Sequence, residues 1–162
     1  MRAVLLALAL IALPPTALPV DAQDTSIGFG GGRFDRAAAI EVASDSLQVD
    51  QATGRAVLEG NVVIAQGDLR LSAGRVVVEY ATDAGERRID RLYAEGDVLI
   101  VAGQDAAEGQ SAVYTLGSSE IELTGDVVVT QGGNTLAGDR LAVNLESGAG
   151  TVTGRVRTTL QP

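Results

Sequence analysis

The sequence predicts an all-β fold of antiparallel hairpins, built from four repeats of about thirty residues. Three observations lead there. A glycine, a polar residue and an apolar run recur together: Gly60-Asn61-Val62-Val63-Ile64, Gly96-Asp97-Val98-Leu99-Ile100, Gly125-Asp126-Val127-Val128-Val129 and, more faintly, Gly154-Arg155-Val156. Around each glycine the apolar residues share one parity, as in Ala56, Leu58, Val62 and Ile64, or Ile121, Leu123, Val127 and Val129. A period of two is the mark of a strand that buries one face. Beyond residue 22, helical spacing is not sustained for more than a few residues.

The chain opens with Met1, Arg2 and an apolar run over residues 3–13 that Pro14 and Pro15 stop. Such a run is too short to span a membrane as a helix and suits the core of an export signal. Val20, Asp21 and Ala22 supply small residues for cleavage before Gln23, so residues 1–22 are expected to be removed. Residues 23–39 are rich in glycine (Gly28, Gly30, Gly31, Gly32), with Phe29 and Phe34 as their large apolar residues, and are expected to form a flexible leader. The glycines do not complete a dinucleotide-binding fingerprint.

The domain proper is expected over residues 40–158, with residues 159–162 as a tail. In each repeat an upstream segment of the same parity precedes the glycine: Leu47 and Val49, Val76 and Val78, Ala112 and Tyr114, Leu141 and Val143. From the first of these residues to the glycine is 13 positions in three repeats and 20 in the second. The surplus falls in residues 81–88, a polar hairpin extension. The matching turns, at residues 50–54, 117–119 and 147–148, are tight enough to join antiparallel neighbours. Repeats that bury a single face must stack, either as two facing sheets or as a solenoid of coils. The glycine within each unit is read as a bend or bulge in a continuing strand.

Composition narrows the chemistry. The chain has a net charge of −9, no cysteine and no histidine, and its 12 cationic residues are all arginine. Serine nucleophiles lack a base, zinc lacks its usual ligands and a phosphate loop lacks its lysine. Glu59, Glu95, Asp97 and Asp126 recur with the repeat, as turn-forming or solvated acids would, so no catalytic residue, cofactor or metal is assigned. An acidic chain with five aromatic residues also lacks the basic, stacking surface that nucleic acid requires.

Residues 43–64, ASDSLQVDQATGRAVLEGNVVI, with the echoes GDVLI and GDVVVT, resemble the OstA-type domain of the periplasmic lipopolysaccharide transport proteins, the LptA family. The resemblance covers about residues 40–156. It implies an antiparallel β jelly roll, OstA-like and open along one edge, that holds lipopolysaccharide acyl chains between two sheets in the periplasm. It further implies head-to-tail joining with copies of itself and with LptC-like and LptD-like domains. The implied lipid-facing residues are Val42, Leu47, Val49, Leu58, Val62, Ile64, Val76, Val78, Leu92, Val98, Ile100, Tyr114, Leu123, Val127 and Val129. The implied assembly edges are Ile40, Glu41, Val42 and Ala43 at the front and Val152 and Val156 at the back. Arg155 departs from the Asn or Asp of the other repeats, and the extension at 81–88 is a second departure. Two other readings stay open: a passive structural or adhesive solenoid with a filled core, and the periplasmic domain of an LptC-type partner.

Overall fold

The computed structural model describes residues 24–32 and 34–161, so the expected export signal and its cleavage site lie outside the described residues. Among the described residues, eleven strands run β1 Thr25–Gly28, β2 Ile40–Ala43, β3 Ser46–Asp50, β4 Arg55–Gln66, β5 Leu69–Asp83, β6 Glu86–Ala102, β7 Asp105–Thr115, β8 Glu120–Gln131, β9 Asn134–Asn144, β10 Ala149–Thr153 and β11 Arg157–Thr159. They form one antiparallel sheet in the order β1-β10-β9-β8-β7-β6-β5-β4-β2, with β3 also on β4 and β11 also on β9. The fold is all-β, as the sequence predicts.

The recurring glycine sets the shape. Glu59 pairs with Arg75 and Val62 with Ala73, so Gly60 and Asn61 both stand opposite Gly74. Two residues against one is a bulge, which bends the strand. Both bulge residues have positive φ, 78° at Gly60 and 46° at Asn61, and the pairs Gly96-Asp97, Gly125-Asp126 and Gly154-Arg155 repeat this geometry. Asn and Asp tolerate that region better than other residues with side chains. At Gly125 an added Cβ would stand 2.8 Å from the Gln110 side chain, so glycine is required there by space as well as by φ.

Because the bulges lie level with one another, the whole sheet folds along a spine into two facing halves. One half holds β3, the starts of β4, β6 and β8, the ends of β5, β7 and β9, and β10 with β1. The other holds β2, β11 and the remaining lengths of the long strands. Single-parity side chains from both halves form one core, among them Leu71, Leu92, Ile100, Leu123 and Leu141. The fold is tight at the spine: a Cβ on Gly109 would stand 2.8 Å from Cγ of Leu123.

Polar side chains tie the spine on its outer side. Asn61 Nδ2 donates to Asp45 at 2.8 Å, Gln110 Nε2 to Asp126 at 3.0 Å and Arg155 to Asp139 at 2.6 Å. Arg155 therefore fills the place of the Asn or Asp of other repeats with an ion pair, and its hydrogen bond holds the Asp139 carboxyl below its usual range. The expected extension at 81–88 is the far end of the β5–β6 hairpin, where the Arg87 guanidinium lies 4.3 Å from the Tyr80 ring centre.

The leader departs from expectation. Residues 25–28 are strand β1, paired with β10 from Thr25 opposite Val152 to Gly28 opposite Ala149. Phe29 then enters the core, 2% exposed, and Phe34 packs against it. Burial of these aromatic side chains outweighs the freedom of the surrounding glycines. Gly30 and Gly31, both at positive φ, shape a short 3-10 turn behind Phe29, and the Gly30 amide donates to Asp105 at 2.8 Å.

Candidate functional site

The inner-face residues fall into two groups. Leu58, Val62, Ile64, Val76, Val78, Leu92, Val98, Ile100, Tyr114, Leu123, Val127 and Val129 are buried between the halves, where they pack on one another. Val42, Leu47 and Val49 lie on the same parity, since Val42 pairs with Ile64, Leu47 with Leu58 and Val49 with Ala56. They nevertheless stand 45%, 59% and 57% exposed. The cause is topological: β2 and β3 are the first strands of their halves, and among the described residues no strand lies beyond them. An inner apolar face is thus open to solvent at this end of the fold.

The opposite end is organised differently. Val152, expected at an assembly edge, is fully buried, because β1 covers β10. Sequence reasoning missed this since the covering strand lies over a hundred positions away and holds a single large apolar residue, Ile27. Val156 lies between β10 and β11 and packs partly on the core. The edges at this end are β1 and β11. Ile40, Glu41, Val42 and Ala43 form β2 and do lie at a sheet edge.

Between the halves, along the side away from the spine, runs a mouth that the leader crosses. Phe29 and Phe34 seal its back part against Leu69, Ala102 and Leu145. Nearer the front, Gln66 fastens the leader to the sheet through Nε2, which donates to the carbonyls of Arg36 at 3.2 Å and Ala38 at 3.3 Å. The Tyr114 hydroxyl, from the facing half, donates to Gln66 Oε1 at 2.9 Å. Burial pushes the Tyr114 hydroxyl up to about 12; the Arg36 charge opposes the rise and the Glu146 charge adds to it. Sequence reasoning singled out Tyr114 but not Gln66. The signal was present, for Gln66 continues the buried parity of Val62 and Ile64 and is the polar exception on it.

A family model described as LptA and LptD N-terminal domain, lipopolysaccharide transport protein, matches residues 41–149. The chain belongs to this LptA/LptD family. Among solved structures, LptH of Pseudomonas aeruginosa, the LptA-homologous periplasmic component of the conserved lipopolysaccharide transport device, superimposes with a TM-score of 0.70. It is 22% identical, and the match covers 79% of this chain and 99% of LptH, which shows a shared LptA-like fold. No curated protein matches the sequence. In this LptA/LptD domain the features open to a ligand include the exposed inner face at Val42, Leu47 and Val49 and the sheet edges. Among the described residues, no group of carboxylates is arranged to hold a metal ion.

Proposed function

We propose that this protein is a periplasmic carrier of lipopolysaccharide that takes acyl chains at its β2–β3 end and joins head-to-tail with related domains. The observation that carries the reading is the exposure of Val42, Leu47 and Val49 on a face that is otherwise core. Membership of a lipopolysaccharide transport family supplies the cargo class. Export through the signal over residues 1–22 would place the protein in the periplasm, where LptC-like and LptD-like domains are the expected neighbours.

Energetics support a carrier despite the acidic chain. Burying a lauroyl chain at about 0.8 kcal/mol per methylene is worth roughly 9 kcal/mol. Repulsion between an exposed carboxylate and a lipid phosphate is only about 1 kcal/mol at close range in water, and salt reduces it further. An acyl chain laid against the open inner face therefore gains far more than its headgroup loses. A joined domain whose inner face continued this one would offer the next site at similar energy, as onward transfer requires.

The reading is tested with a photo-crosslinking residue at Leu47 in living cells and, as control, at the neighbouring Gln48. Leu47 pairs with buried Leu58, whereas Gln48 has the opposite parity. Lipopolysaccharide captured from Leu47 and not from Gln48 is expected. Equal capture at both, or none at Leu47 in a folded and exported protein, would overturn it.

A further inference from the structure

Strand β1 is held by parts of the chain far from it in sequence. Its four residues pair with β10, and Ile27 fills the space left by Gly150, where an added Cβ would stand 3.0 Å from Ile27 Cγ1. The Phe29 amide donates to the Gly148 carbonyl at 2.7 Å and the Gly30 amide to Asp105 at 2.8 Å, while Gln131 Nε2 donates to the Gly28 carbonyl. The other end of the leader lies at the front of the fold, where it runs through Ala37, Ala38 and Ala39, outside any strand, into β2. Between β2 and β10 stand the six strands from β4 to β9, and the leader crosses all of them to bring β1 to its seat.

We propose that β1 and Phe29 are exchanged between copies of this chain, so that the leader of one protomer adds the last strand to β10 of its neighbour. The inference rests on the head-to-tail reading and names the segment that crosses the joint. In that order the neighbour's β10 stands beside the front end from which the leader starts, so a donated β1 has a shorter path than the one across its own domain. The fit of the receptor is already visible, because the neighbour's β10 edge and Gly150 notch are copies of those that β1 occupies here. Each contact of the strand is remade between protomers, which is what makes the exchange of an identical element a low-cost route to assembly. The contacts given up lie nearer the root. They are the two Gln66 bonds, at 3.2 and 3.3 Å, and the bonds from Arg36 to the Gly117 carbonyl at 2.7 Å and to Glu146 at 3.1 Å. Arg36 and Glu146 are both solvent-exposed, so their ion pair holds the leader only weakly. The long strands do not depend on the leader for their pairing, since β4 to β10 each pair with the next strand in the chain.

Disulfide trapping in the full exported chain tests the exchange, and the absence of native cysteine makes the product unambiguous. Ser26 stands opposite Thr151 with its side chain away from the core. Residues so paired lie about 4.5–5.5 Å apart at Cα, within reach of a disulfide. Ser26→Cys and Thr151→Cys proteins of different tag mass are mixed at concentrations where the parent oligomerises, then oxidised. A linked heterodimer is expected, and Ile27→Asp added to the Ser26→Cys protein should abolish it by spoiling the seat on Gly150. Both cysteine changes in one chain tie β1 to its own β10. Oligomers of that protein should be lost on oxidation and return on reduction. Absence of the heterodimer, or oligomers undiminished in the self-linked protein, would overturn the exchange. Light scattering of the parent separates this from failure of the reading beneath it: oligomers without heterodimer retain head-to-tail joining and discard the exchange, whereas a parent that stays monomeric discards both. Circular dichroism confirms that each variant keeps its β structure.

Discussion

At the residue scale, Tyr114 and Gln66 show how one buried polar pair fastens two apolar layers. The tyrosine hydroxyl reaches across the mouth to an amide that also holds the leader, so three segments meet at one side chain. The same burial predicts a pH dependence. In the unfolded chain the phenol titrates near 10.0, whereas in the fold it stays protonated to about 12. The folded state therefore binds the proton more tightly. Its contribution is fully present below pH 10 and is lost as pH rises from 10 to 12, by about 1–2 kcal/mol once solvent screening is allowed for. Tyr114→Phe removes this component and costs about 1 kcal/mol below pH 10 through the lost hydrogen bond. Urea unfolding of both proteins across this window checks the point: the gap in their stabilities should close and reverse, and parallel curves would refute it.

At the element scale, the long strands were legible and the leader was not. Alternation around each glycine marks β4, β6 and β8 because every pairing repeats the same local pattern, and the bulge pairs announce themselves as Gly-Asn and Gly-Asp. Strand β1 has four residues and acquires its meaning from β10, a partner distant in sequence. Local glycine content pointed the other way. A signal was available in composition, since both phenylalanines of the chain fall in the leader, and side chains of that size rarely remain solvated in a fold poor in large residues. The open front face was half legible: parity placed Val42, Leu47 and Val49 with the core residues, but sheet order decides which of them are covered. Phe29 carries the consequence. Phe29→Ala should destabilise the fold by about 3 kcal/mol, as large-to-small changes in a filled core do, measured by denaturant unfolding. A change below about 0.5 kcal/mol would mean that β1, Phe34 and the Gln66 bonds hold the leader without help from Phe29.

At the scale of the whole molecule, the two ends of the folded sheet differ in kind. The back end is covered by the chain's own β1, while the front end leaves an apolar inner face open; each end stops in short strands with one free edge, β1 and β11 at the back, β2 and β3 at the front. Edge strands with inward apolar side chains are sites for pairing with another chain unless charge or proline blocks them; β2 and β3 contain no proline, and their charged residues, Glu41 and Asp50, lie on the parity opposite the inner face. The chain's net charge of −9 repels copies of itself, so joining must draw on apolar contact and should strengthen with salt as that repulsion is screened. Leu47→Asp with Val49→Asp places two carboxylates on the open face. Both positions are more than half exposed, so the monomer should lose no more than about 0.5 kcal/mol. Head-to-tail oligomers should disappear in light scattering at concentrations where the parent forms them. Gln48→Asp, on the opposite parity of the same strand, adds charge without touching the inner face and should leave assembly nearly intact. If the double variant assembles like its parent, the joint lies elsewhere than at β3, and the exposed face serves lipid alone.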